Sequence, residues 1–117
     1  MSSCTKEEVE VILQAVFNSN NVRAYNCDAL DTLYSLTGSP SLNVRFENEA
    51  SSNIKIQWID FQGQLQTYKD ALEPGDDYFV QSFQFHYWLI SDSEGDCIGI
   101  YSPNSLLATN VVTFQDS

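Results

Sequence analysis

The chain has 117 residues, 43% hydrophobic and 13% aromatic, with five Lys plus Arg against sixteen Asp plus Glu and a net charge of −11. That length fits one domain, and the apolar content supplies a real core and excludes a disordered acidic tail. The acidic balance repels phosphate backbones and anionic lipid surfaces, which sets nucleic acid and membrane aside and favours a basic or neutral peptide as partner.

At the N-terminus, "MSSCTKEEVE" has neither the basic nor the apolar region of a signal peptide. No apolar run is long enough to span a bilayer. Both points favour a cytoplasmic protein, although a secreted chain lacking its signal would read the same. Thr5 and Glu8 fit a capping box, and Val9, Ile12, Leu13 and Val16 recur at helical spacing, which predicts a helix fraying at "NSNN". A second short helix is predicted from Asp28 to Leu36, capped by Asp28 and stopped by Gly38 and Pro40.

After Pro40 the pattern changes to alternation. "SLNVRFEN" puts Leu42, Val44 and Phe46 on one face, and "NIKIQWIDF" does the same for Ile54, Ile56 and Trp58, with Ile59 and Phe61 near the other. Turns at "QGQ", "EPGDD" and "DSEGD" separate strands at "QLQTY", "YFVQSF", "HYWLIS", "CIGIYS" and "TNVVTF". The expected fold is mainly β: an antiparallel sandwich of about seven strands over residues 41–117, with residues 1–40 a helical prefix packed on it.

The three cysteines, Cys4, Cys27 and Cys97, form no C-x-x-C pair, and only one histidine is present, so no metal site or other cofactor is expected. Three free thiols are the plain reading. Cys4 and Cys27 bracket the first predicted helix and could pair in an oxidising compartment. Asp92, Glu94 and Asp96 lack the full pattern of a calcium hand.

That single histidine, His86, lies in "VQSFQFHYWLIS". In an unbroken strand, Ser82 and His86 would be about 13 Å apart and could not grip one small group. If the chain reverses at Phe83-Gln84-Phe85, a hydroxyl could sit between a serine oxygen and an imidazole nitrogen. Nothing in "FQF" demands a turn. By itself, the composition reads as a core strand with a satisfied histidine, and Trp58 and Trp88 as sandwich core.

From Leu42 to Phe114 the chain resembles the β domain of the von Hippel–Lindau tumour suppressor family, whose members are substrate-recognition subunits of a ubiquitin ligase. The resemblance rests on "RFEN", "IQWIDFQGQLQTY", the "LEPG" turn and "SFQFHYWLISD", which place Trp58, Tyr68, Ser82, His86 and Trp88 in the family's register. It implies a β-sandwich that binds trans-4-hydroxyproline within a peptide. Ser82 and His86 would bond the 4-hydroxyl from the two arms of a hairpin. Trp88 would be the floor, with Trp58 and Tyr68 as walls. The Tyr68 hydroxyl would reach a peptide carbonyl, and the Gln81 carbonyl would accept a peptide N–H.

There are departures from the family. It has histidine at Gln81, tyrosine at Phe83, and Arg-Gly at Gln84-Phe85. Losing that glycine makes the turn harder to form, and losing the Arg and Tyr alters the rim. The sequence shows no counterpart of the family's α domain, which docks the ligase adaptor, so a ligase role is not expected from the resemblance. Asn48 reads as a loop-fixing amide. The expected function is a non-catalytic module for hydroxyproline-containing peptides or proteins. The alternatives are an interaction sandwich that has lost the pocket, and a small hydrolase using Ser82 and His86 with Asp92 as orienter. No nucleophile elbow supports the last of these.

Overall fold

The computed structural model describes residues 13–17, 22–104 and 109–116. Among these the elements are β1 (Leu13–Phe17), β2 (Val22–Tyr25), a 3-10 helix (Cys27–Thr32), β3 (Ser41–Asn48), β4 (Ile54–Ile59), β5 (Leu65–Leu72), β6 (Asp77–Phe83), β7 (Tyr87–Ser91), β8 (Cys97–Pro103) and β9 (Asn110–Asp116). They form two sheets. One has four strands in the order β1-β9-β3-β6, the other five in the order β2-β8-β7-β4-β5. Every pairing is antiparallel except that of β9 with β3, which is parallel.

Alternation builds the core. Leu42, Val44 and Phe46 of β3 face Ile54, Ile56, Trp88 and Ile90 of the other sheet, with Val112 and Phe114 of β9 closing one side. A second, smaller cluster lies on the outer face of the five-stranded sheet. There Ile59, Leu89 and Ile100 are covered by Leu30 and Leu33 of the segment that follows β2. This explains why "YWLIS" is apolar at successive positions: β7 is covered on both faces.

Several expectations are corrected. The first predicted helix, from its cap at Thr5 through residue 12, lies outside the described residues. Its remainder, Leu13–Phe17, is a strand paired antiparallel with β9, Leu13 opposite Asp116 and Phe17 opposite Val112. A partner strand far along the chain overrides the local helical spacing. The second helix is only the 3-10 helix, and its N-cap position is Asn26 rather than Asp28. At Leu33 the backbone is extended. Ser35 N–H then bonds the Asp60 carbonyl, and Leu36 N–H that of Phe85. Those tertiary bonds replace the intrahelical ones.

Cys27 is disulfide-bonded to Cys97, Cα atoms 6.2 Å apart. The free-thiol reading and the Cys4–Cys27 pairing are therefore both wrong for Cys27. Cys97 is the first residue of a strand. The bridge ties the 3-10 helix to the sheet that it covers.

Asn48 is 1% exposed. Its side-chain N–H groups donate to the carbonyls of Ser52 (2.9 Å) and Leu72 (2.8 Å), and its Oδ1 accepts from Ala50 N–H (3.0 Å). It holds the β3–β4 loop against the end of β5.

Asp60 fixes the next turn. Its Oδ1 accepts from the backbone N–H groups of Gln62 and Gln64, and its Oδ2 from the Gln66 side chain. The Gln66 bond, then the Gln64 backbone bond, hold the carboxyl below the ordinary carboxylate range, against a smaller opposing effect of burial. A folded pKa below the unfolded one gives stability that is present above the unfolded pKa and is lost as pH falls through the folded one. Asp60→Asn should therefore destabilise the protein at pH 7 and differ little from wild type in strong acid. Urea melts at both pH values check this; an equal deficit at both would show that ionisation contributes nothing.

Candidate functional site

The strand β6 alternates: Ser82 is buried, while Asp77, Phe79, Gln81 and Phe83 are exposed. It ends at Phe83. A turn closed by His86 N–H on the Phe83 carbonyl (3.1 Å) carries the chain out of the four-stranded sheet and into β7 of the other. The unbroken-strand alternative is thus not what forms. The expected two-armed hairpin is not formed either, because β6 and β7 belong to different sheets. Ser82 and His86 flank a corner at one end of the sandwich. The turn needs a left-handed residue, and Phe85 provides it at φ +66°.

Ser82 is 1% exposed, and its Oγ accepts a bond from the Trp88 indole N–H at 3.0 Å. That bond joins the two sheets. The hydroxyl proton of Ser82 has no acceptor among the described residues. Trp88 packs on Phe46 in the core and meets the Tyr68 ring edge-on, centroids 5.0 Å apart. Trp58 is the direct cross-strand partner of Trp88 and meets Tyr68 edge-on at 6.2 Å.

The placement of Tyr68 depends on a β-bulge. Gln57 pairs with Thr67, but Ile56 pairs with Lys69, so Tyr68 is an extra residue on β5. Such bulges re-aim a side chain. Here the ring meets both tryptophans while 45% of the residue stays exposed.

His86 stacks on Trp58, centroids 5.4 Å apart and planes 25° apart. Both of its ring nitrogens are engaged. Nε2 lies 3.0 Å from the Leu36 carbonyl, and Nδ1 lies 3.1 Å from the Trp58 indole N–H. Because an indole nitrogen only donates, Nδ1 must be the acceptor, and Nε2–H must donate to Leu36. This fixes one neutral tautomer. Burial lowers the His86 pKa below its ordinary value, and the Leu36 carbonyl opposes that shift. Phe61 and Phe83 flank the same ring, at 5.7 and 5.0 Å.

Of the six candidates, Ser82, His86, Trp88, Tyr68 and Trp58 are thus linked in one aromatic assembly at the mouth of the sandwich. The side chain of Gln81 is exposed on the opposite face of β6 from Ser82. Leu36 and Phe61 are neighbours that sequence reasoning missed. Leu36 carries no signal at all, since its contact with His86 spans 50 residues.

The arrangement does not assemble a Ser–His nucleophile pair, because neither His86 nitrogen is free for Ser82. Asp92 is occupied in its own turn, accepting from the N–H groups of Glu94 and Asp96. A cleft of about 390 Å³ lined by Asn53, Lys55, Asp70, Asp92 and Glu94 contains none of the candidate residues.

A comparison with curated proteins gives no match. Residues 33–112 do match the family model of the VHL beta domain, a non-enzymatic substrate-recognition family with protein or peptide ligands. The match covers more than half of the chain and spans β3 to β8, the turn after β6 and all six candidate residues, and on that ground the chain belongs to the VHL beta domain family.

Proposed function

We propose that this domain reads 4-hydroxyproline in peptides or proteins and performs no catalysis. The observation that carries the reading is the buried Ser82 hydroxyl, with a proton to donate, at the base of an aromatic enclosure. A pyrrolidine ring is flat and apolar and suits a box made by Trp58, Tyr68 and Trp88. Ser82 donates to the ligand oxygen. The ligand hydroxyl then donates to His86 Nδ1, taking the place of the Trp58 N–H. The Tyr68 hydroxyl bonds a peptide carbonyl and the Gln81 carbonyl accepts a peptide N–H. The net charge of −11 favours a peptide that is not itself acidic.

Unhydroxylated proline leaves its would-be partners unmatched, at about 1–3 kcal/mol for each buried group. Calorimetric titration with paired proline and hydroxyproline peptides should show at least tenfold preference for the hydroxylated one, about 1.4 kcal/mol. Ser82→Ala and His86→Ala should each erase most of it. Equal affinity for the two peptides would sink the reading. The satisfied nitrogens of His86 favour one rival, an interaction sandwich without hydroxyl specificity, and equal binding would be its mark.

The pH dependence follows from the same geometry. Protonated His86 has two donors and no acceptor. Hydroxyproline binding should weaken as pH falls through the lowered pKa of His86, below the ordinary 6.5, while proline binding changes little. Folding stability moves in the same direction: the unfolded imidazole takes up its proton first, so stability falls as pH drops below about 6.5. Affinity unchanged down to pH 5, with the histidine seen to protonate by NMR, would reject Nδ1 as the acceptor.

A further inference from the structure

Among the described residues from Leu33 to Pro40, only Ser35 is buried, at 2% exposed. Its neighbours Tyr34 and Leu36 are exposed, so apolar packing does not pin the chain at this point. Hydrogen bonds do. The Ser35 hydroxyl donates to the Ile59 carbonyl at 2.5 Å and accepts the Tyr87 N–H at 3.1 Å. Ile59 and Tyr87 stand opposite each other at the end of the β4–β7 ladder. One side-chain oxygen therefore bridges two strands and fastens a third segment to both. A hydroxyl used at once as donor and acceptor is held from two sides.

The next residue in that segment supplies the carbonyl that His86 uses. Leu36 N–H donates to the Phe85 carbonyl at 3.3 Å, and the Leu36 carbonyl lies 3.0 Å from His86 Nε2. Ser35 and Leu36 thus meet three successive residues of the corner: Phe85 and Tyr87 through their backbones, and His86 through its ring. An acceptor must be held in place if it is to fix the ring nitrogen that carries the proton. Here the nearest anchor on the chain is the hydroxyl of Ser35.

We propose that Ser35 is a positioning residue for the aromatic site: its hydroxyl locks residues 35–36 between β4 and β7, aims the Leu36 carbonyl at His86 Nε2, and so keeps Nδ1 as the acceptor turned to the ligand. This deepens the hydroxyproline reading and rests on it for what Nδ1 accepts. The anchoring of the imidazole stands without it.

The test uses the full chain. In wild type the His86 Nε2 proton, held to Leu36, should give a slowly exchanging imidazole N–H signal by NMR. Ser35→Ala should lose that signal to exchange while the protein stays folded. Ser35→Thr, which keeps the hydroxyl, should retain it. The hydroxyproline-to-proline affinity ratio should follow the signal: from about tenfold or more it should fall to about threefold or less in Ser35→Ala, and stay within about twofold of wild type in Ser35→Thr. A serine that only ties strand ends would weaken both peptides alike, in step with the melting temperature, with signal and ratio intact. That outcome overturns the proposal, and so does equal loss of the signal in both variants. If Ser35→Ala does not fold, exchange in wild type decides. The Tyr87 amide and the His86 Nε2 proton should then be released in one opening event, with the same dependence on urea, and unrelated openings overturn the proposal. If wild type does not distinguish hydroxyproline from proline, the pocket reading fails, and the imidazole signal in the two variants decides the role of Ser35 alone.

Discussion

Breaking the Cys27–Cys97 disulfide should lower the folding stability by about 4 kcal/mol, the loop-closure entropy of a long cross-linked segment. The two cysteines are 70 residues apart, so the bridge removes a large share of the freedom of the unfolded chain. It also has a local role. The 3-10 helix and the strip after it cover Ile59, Leu89 and Ile100, and this strip supplies the Leu36 carbonyl that orients His86. Urea unfolding of the oxidised protein, the reduced protein and the Cys27→Ser/Cys97→Ser variant measures the effect. The reduced protein and the double variant should agree with each other and fall well below the oxidised form. Three superimposable curves would mean that the bridge constrains nothing.

Asn48→Ala should cost about 3 kcal/mol or more, with no effect expected on the chemistry of the aromatic site. The substitution leaves the carbonyls of Ser52 and Leu72 and the N–H of Ala50 without their partners. Each unmatched buried group costs about 1–3 kcal/mol. Asn48→Asp should be at least as harmful, since it sets a carboxylate against two carbonyl oxygens. Hydrogen exchange adds a local check: the Ala50 amide should lose protection far more than the amides of β7. A variant within 1 kcal/mol of wild type would show that the loop can satisfy these groups another way.

The parts of this molecule that were legible in the sequence are those set by nearest neighbours. Leu42, Val44 and Phe46 alternate and form one inner face, and Gly63 and Gly75 mark real turns. Leu13 and Val16 fit a helix as well as a strand, and the choice is made by β9, about a hundred residues away. The partner of Cys27 could not be deduced, because three cysteines allow several pairings. The extra residue that aims Tyr68 at the tryptophans has no marker in "QLQTYKDAL". Phe85 hides its own turn, since a left-handed position normally announces itself with glycine. The candidate site itself was visible mainly through register with a known family. Spacing alone could not place Ser82 and His86 on either side of a corner between sheets.

The position of β9 has a consequence for how the protein is made. β9 lies between β1 and β3, and its pairing with β1 closes a loop of nearly the whole described chain. Until residues 110–116 emerge from the ribosome, β1 has no partner in its sheet and one edge of β3 stays open. Pairings this distant form slowly, and an open edge is a template for another strand. The strand that a nascent molecule lacks can be supplied by a second copy. Two chains that collapse before their own β9 strands arrive can exchange them, giving an interlocked pair with native contacts throughout. Slow release of β9 at high local concentration should therefore enrich dimers that dissociate only on unfolding.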